Sequence, residues 1–159
     1  MKIFVFWVAT IVLTGCYRTE NGIVFGKPAY ETKAITVTKI DLEILERTDE
    51  LLIVETWTKD SLRTCSEVRK LSLFCALEKA SIEIKGNYLH RQAALQEVRF
   101  VIDNFYGSYW TKHRLIDFNS NNSTTFSDVK KVIAIAIANV QSKLKRTKTI
   151  KPNADKTPD

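Results

Sequence analysis

Only five glycines occur in the 159 residues, scattered singly, with three prolines, three cysteines, two histidines and one methionine. So few glycines exclude a collagen-like chain and leave no glycine-rich loop to cradle a phosphate. Three cysteines are too few for a disulfide-dense scaffold. The two histidines, His90 and His113, stand in neither a His-Glu-x-x-His pattern nor a Cys/His ligand spacing, so no metal site is expected. There is no Gly-x-Ser-x-Gly and no Ser-x-x-Lys in a persuasive context, which removes the usual signatures of a serine nucleophile. Carboxylate pairs such as Glu43/Glu46 and Glu78/Glu83 lie among lysines and arginines, the pattern of solvated helix faces rather than of a glycosidase. No cofactor is implied by any motif.

What is present suits one globular domain. Hydrophobic residues make up 45% of the chain and charged residues 26%, too apolar for a chain disordered as a whole. The two ends depart from this average. The first sixteen residues are almost all apolar. From Lys143 to Asp159 the chain carries six basic and two acidic side chains, most of its net charge of +6. The part between is close to neutral.

Lys2 is followed by an apolar run of ten residues, Ile3 to Val12, which is short of the roughly 20 needed to span a bilayer as a helix. Small residues and a cysteine then follow, as in a secretory signal. The segment Leu13-Thr14-Gly15-Cys16 resembles the lipobox of bacterial lipoproteins: an aliphatic residue, two small residues and the acceptor cysteine. The resemblance covers residues 1–16 only. It implies a signal peptide over 1–15, lipid transfer to the thiol of Cys16 and acylation of the new terminus. Several acyl chains anchor a protein stably where one gives only marginal binding. Tyr17 stands where, by the same resemblance, an Asp retains the protein in the inner membrane, so the outer membrane is favoured in a double-membraned host. Gly22, Gly26 and Pro28 break any period over 16–34, which reads as a tether.

The body, residues 35–145, reads as all-α: a small bundle of about four helices, with a possible short strand over the β-branched Ile35 to Val37. A first helix is expected over about 37–54, opened by Thr38 with Asp41 as capping-box partner, and with Ile40, Ile44, Leu45, Leu51 and Leu52 on one face. A second is expected over about 68–85, ended by Gly86-Asn87, with Leu71, Phe74, Cys75, Leu77 and Ile82 as its stripe. A third covers about 90–105, with Ala94, Leu95, Val98, Val101, Ile102 and Phe105 inward. Residues 107–124 read as a long loop. The last helix begins at Phe126, capped by Thr125 and Asp128, with Val129, Ile133, Ala136, Ile137, Val140 and Leu144 inward. Residues 146–159, with two prolines and no apolar period, read as a disordered basic tail.

The body also resembles a family of small helical domains found in bacterial and phage proteins. Trp57-Thr58-Lys59, Phe74-Cys75-Ala76-Leu77, Phe118-Asn119 and Thr124 to Val129 fall in the order and rough spacing of that family's segments. There a Gly-Trp-Thr segment, a Cys-x-x-Gly-Ala-Leu helix and a Trp-Asn-Asp segment precede a capped final helix. This chain departs from the pattern at Thr56, which replaces the glycine, and at Asp117-Phe118-Asn119. The resemblance implies a helical body and brings no chemistry with it.

Cys65 and Cys75 are the even pair left after Cys16, and outside the cytoplasm such a pair is expected to form a disulfide. The alternative leaves Cys75 as an ordinary core side chain and Cys65 as a free thiol. The richest candidate surface is Phe105 to Arg114. Within it Tyr106, Tyr109, Trp110, Lys112, His113 and Arg114 carry the aromatic and cationic character of interface hot spots. Its competing reading puts Phe105 and Trp110 in the core. The expected role is therefore a membrane-anchored, non-enzymatic interaction module whose partner is a protein or an envelope polymer. Immunity, exclusion and assembly roles are all compatible with it. An exported chain is not expected to meet nucleic acid, so the basic tail points instead to lipid headgroups or wall polymers. The alternative is an envelope hydrolase acting on cell-wall material, assembled from His90, His113 and Asp117.

Overall fold

The computed structural model describes residues 36–60, 64–65, 70–107 and 113–150. The chain divides into two units, Met1–Lys33 and Ala34–Asp159, and all the described residues belong to the second. The apolar run, Cys16, the proposed tether and residues 151–159 lie outside the described residues.

Five helices form: α1 (Lys39–Leu51), α2 (Leu73–Lys85), α3 (Ala93–Tyr106), α4 (Arg114–Ser120) and α5 (Phe126–Ile150). Among the described residues there is no strand, at Val37 or elsewhere. The one β contact is an isolated parallel bridge between Trp57 and Leu71.

Each helix begins where a polar side chain takes up its first amides. Asp41 accepts both the backbone N–H and the hydroxyl of Thr38, each at 2.8 Å, closing the capping box of α1. Ser72 opens α2 by accepting the N–H of Cys75 at 3.3 Å. That start lies later than the apolar stripe suggested, because residues 70–72 are used by the bridge and the cap. Gly86 ends α2 with φ +79°, the left-handed conformation that favours glycine. Thr125 and Asp128 open α5 reciprocally: the Thr125 N–H and hydroxyl donate to Asp128 at 2.8 and 2.7 Å, and the Asp128 N–H returns to Thr125 Oγ1 at 3.2 Å.

The expected long loop over 107–124 is corrected by α4. This seven-residue helix buries Leu115, Ile116, Phe118 and Asn119. It is too short for its period to stand out in sequence, and tertiary contacts rather than propensity hold it. At the other end, α5 continues to Ile150, into the stretch assigned to the tail.

Polar contacts fix the helix directions. Lys130, near the start of α5, donates to Asp49 O at 2.8 Å and Leu52 O at 3.4 Å and pairs with the Asp49 carboxylate, so it caps the C-terminus of α1. Tyr106 at the end of α3 donates to Asp128 at the start of α5, at 3.0 Å. At the opposite end, Asp41 Oδ1 accepts the N–H of Ala94, so one buried carboxylate serves the N-termini of both α1 and α3. Glu97, in the first turns of α3, pairs with Lys143 of α5. Helices α1 and α3 therefore run together and α5 runs against both. Arg47 ties α1 to α2 through Glu83 at 2.6 Å and also reaches Glu50 at 2.8 Å.

The core is filled by Ile44, Leu45, Leu77, Leu95, Ile102 and Ile133, all fully buried, with Phe118 supplied from α4. The predicted inward faces hold with exceptions near helix ends. Ile40 is 45% exposed, Ile82 48% and Phe105 58%. Phe105 loses its inward place to Tyr106, whose ring packs on Phe118 at 4.9 Å between centroids. In the last turn of α3 the two are adjacent candidates for the same face, and the larger payoff goes to the side chain whose hydroxyl also finds an acceptor.

Candidate functional site

Two clusters draw together residues far apart in sequence. The first centres on Asn119, which is fully buried at the end of α4. Its Oδ1 accepts the indole N–H of Trp57 at 2.8 Å and the N–H of Leu73 at 3.1 Å, and its Nδ2 donates to Thr58 O at 2.9 Å. The Trp57 ring lies 5.7 Å from that of Phe126. Lys59 caps the C-terminal end of α4 through Asn121 O at 3.1 Å and Asn122 O at 2.8 Å. The same neck carries a disulfide between Cys65 and Cys75, with Cα atoms 5.3 Å apart. This cluster joins the 57–59 segment, the start of α2, α4 and the start of α5. Its groups are occupied with one another, so it is a structural knot rather than a reactive centre.

The second cluster lies where the α2–α3 connection meets the start of α4. Phe74 from the first turn of α2 packs edge-on against Tyr88 at 5.9 Å and His113 at 5.2 Å. The rings of His90 and His113 lie 5.3 Å apart. The Tyr88 hydroxyl sits 3.1 Å from His90 Nδ1. Arg99, only 4% exposed, donates to His90 O at 2.9 Å and brings Nη2 to 3.3 Å from His90 Nε2. Burial pushes the Tyr88 phenol above its ordinary value, opposed by the positive charge of Arg99. Asp117 Oδ2 accepts the backbone N–H of His113 at 2.9 Å, a helix-start bond.

Of the six residues expected to meet a partner, Tyr109, Trp110 and Lys112 lie outside the described residues. The other three are engaged in packing. Tyr106 seals α3 to α5, and burial together with its bond to Asp128 pushes its phenol up. His113 stacks in the aromatic cluster. Arg114 forms a largely buried pair with Asp103 of α3 at 2.9 Å. Phe105, which the core reading placed inside, is the aromatic side chain on the exposed side.

The hydrolase constellation is assembled in part. His90 and His113 come together, while the carboxylate of Asp117 is committed to a backbone amide. Among the described residues no group of three or more His, Cys, Asp or Glu side chains is arranged to hold a metal ion. No helix among them is long and apolar enough to cross a membrane.

Sequence reasoning missed Arg99 and the joint role of Asp41. Arg99 reads as one more surface cation on α3, and only the fold buries it beneath His90. Asp41 was legible as a cap for α1, but nothing in its neighbourhood signals the second helix it serves.

The fold defined by these contacts is a small all-helical domain whose helix ends are cross-linked by polar side chains. A family of unknown function, DUF6197, matches residues 37–139, well over half of the chain, and the chain belongs to it. No curated protein and no solved structure matches.

Proposed function

We propose that the chain is a lipid-anchored bacterial envelope protein whose helical body acts as a non-enzymatic interaction module. The observation that carries the anchor is the segment Leu13-Thr14-Gly15-Cys16 behind a short apolar run. The Cys65–Cys75 disulfide suits an oxidising compartment outside the cytoplasm. For the body, Tyr106 and Arg114 are spent on holding α3 to α5 and α4, and the exposed Phe105 next to Tyr106 in sequence offers an aromatic contact edge. Tyr109, Trp110 and Lys112 extend that edge in sequence.

The test is mass spectrometry of protein extracted from host membranes. The expected N-terminus is Cys16, carrying a thioether diacylglyceryl group and an acylated amine, and Cys16→Ser abolishes both. A mature chain cut elsewhere, or an unmodified Cys16, overturns the anchor.

The adjacent imidazoles of His90 and His113 support a second reading, an envelope hydrolase acting on cell-wall material. Muropeptide release by the purified protein, lost in a His90→Ala, His113→Ala variant of unchanged thermal midpoint, would replace the binding role with catalysis. No release leaves the interaction module standing.

A further inference from the structure

We propose that the Cys65–Cys75 disulfide is a reversible thiol-exchange site, at which a small-molecule thiol couples to Cys65 and Cys75 leaves as a thiolate held by the Ser72 cap. The inference goes beyond the interaction-module role and does not rest on the lipid anchor.

The two sulfurs stand in unlike places. Cys75 lies in the first turn of α2 and is only 7% exposed. Cys65 is half-buried, next to the exposed Thr64. Which sulfur of a disulfide is attacked depends on access, so an incoming thiolate meets Cys65 first.

The leaving side is set by the way α2 begins. Helices α1, α2 and α5 each open on a hydroxyl residue. In α1 the side chain three positions on is Asp41, which accepts the N–H and the hydroxyl of Thr38 at 2.8 Å each. In α5 it is Asp128, which accepts those of Thr125 at 2.8 and 2.7 Å. In α2 the opening residue is Ser72 and the third position is Cys75. Ser72 Oγ accepts the Cys75 N–H at 3.3 Å, the same return bond that the Asp128 N–H makes to Thr125. A thiolate at Cys75 therefore stands where the other two helices place a carboxylate. The Ser72 N–H and hydroxyl are its donors, and the helix dipole favours it. Thr125 holds the Asp128 carboxyl below the usual carboxylate range through that pair of donors. Burial opposes a charge at Cys75, and the cap and dipole offset it, in the arrangement that accommodates Asp41 at the same 7% exposure.

The step is an exchange with no net oxidation. The incoming thiol gives its proton to water, and its sulfur bonds to Cys65 Sγ. The bond between the two protein sulfurs breaks, and its electron pair stays on Cys75 Sγ. The products are a mixed disulfide at Cys65 and a thiolate at Cys75. Return attack by Cys75 on Cys65 Sγ expels the thiol and restores the original bond. The Trp57–Leu71 bridge and the bonds of Asn119 to Trp57, Thr58 and Leu73 do not involve either sulfur. Exchange thus frees Cys65 from α2 while the knot stays closed.

The experiment exposes the folded full-length protein, extracted from host membranes, to excess reduced glutathione. The reaction is quenched with N-ethylmaleimide in mild acid and mapped by mass spectrometry. The expected product carries glutathione on Cys65 and maleimide on Cys75, formed at a rate that sub-denaturing urea leaves unchanged. Glutathione on Cys75, an equal mixture at the two sulfurs, or exchange that occurs only as urea unfolds the domain each overturns the proposal. A second measurement reads the cap. The ultraviolet thiolate band of Cys75 in Cys65→Ala is taken as the difference from Cys65→Ala, Cys75→Ala at neutral pH. The ratio of thiolate to thiol should fall by about five-fold when Ser72→Ala is added and return with Ser72→Thr. No thiolate in Cys65→Ala, or a thiolate indifferent to Ser72, also overturns the proposal. Should these variants not fold, the mapping on the parent protein decides.

Discussion

The indole N–H of Trp57 donates to Asn119 Oδ1 at 2.8 Å across 62 residues of chain. The same oxygen accepts from Leu73, and the amide nitrogen of Asn119 serves Thr58 O. Asn119 is therefore bonded to both the loop after α1 and the start of α2. Replacing it with Leu strands a half-buried indole donor and a buried backbone amide, each costing about 1–3 kcal/mol when unsatisfied. A loss of about 3 kcal/mol in urea unfolding is expected, with altered Trp57 emission in the folded state. A loss below about half that value would mean the knot re-forms with other partners.

The Cys65–Cys75 bond closes a loop of sequence separation 10 that carries the neck between Trp57 and α2. In the chain-entropy account such a short loop contributes about 2–3 kcal/mol. A Cys65→Ser, Cys75→Ser variant should be destabilised by that amount with its helical content unchanged. Thiol titration of the denatured, unreduced parent should find neither sulfur reactive.

Thr125 holds the Asp128 carboxyl below the usual carboxylate range by donating from its hydroxyl and its backbone N–H, with Tyr106 adding a further bond. A carboxylate whose folded value is depressed contributes stability that is complete above the unfolded value, near pH 4, and is lost as pH falls through the folded value. The acid limb of a thermal-midpoint profile should therefore be shallower in Asp128→Asn. Thr125→Ala should cost about 1 kcal/mol at neutral pH, the ordinary worth of a helix cap. An unchanged acid limb in Asp128→Asn would remove the carboxylate from the account.

Glu97 is 2% exposed while its partner Lys143 is 41% exposed. Removing the lysine leaves a carboxylate buried without its cation, whereas removing both leaves an apolar contact. Lys143→Ala alone is expected to cost about 2 kcal/mol, discounted for the solvent access of the lysine, and Glu97→Leu added to it should recover most of that loss. A double variant no more stable than the single one would show that the pair contributes through packing alone.

Much of the helical layout was legible in residues. Thr38 with Asp41 and Thr125 with Asp128 announced two helix starts, and Gly86 announced an end, because caps are local chemistry. The inward faces of α3 and α5 followed from their period. The misses have physical causes. Helix α4 is too short to display a period and is held by what it packs against. Phe105 and Tyr106 are both plausible inward residues in a last turn, and only the position of Phe118 and Asp128 decides between them. Ile40, in the first turn of α1, falls on the apolar face of a helix wheel and is nonetheless exposed, because burial there depends on what packs against the helix.

By itself the sequence determined the class of the body, an all-helical domain, through apolar spacing and capping residues that act within a few positions of one another. It also carried the expectation of a lipid-bearing Cys16, a motif read locally. Only the tertiary structure decided which distant polar groups meet. Trp57 with Asn119, His90 with His113, and Asp41 with the start of α3 are contacts across long stretches of chain. Their partners are selected by helix direction and packing, which no local pattern encodes.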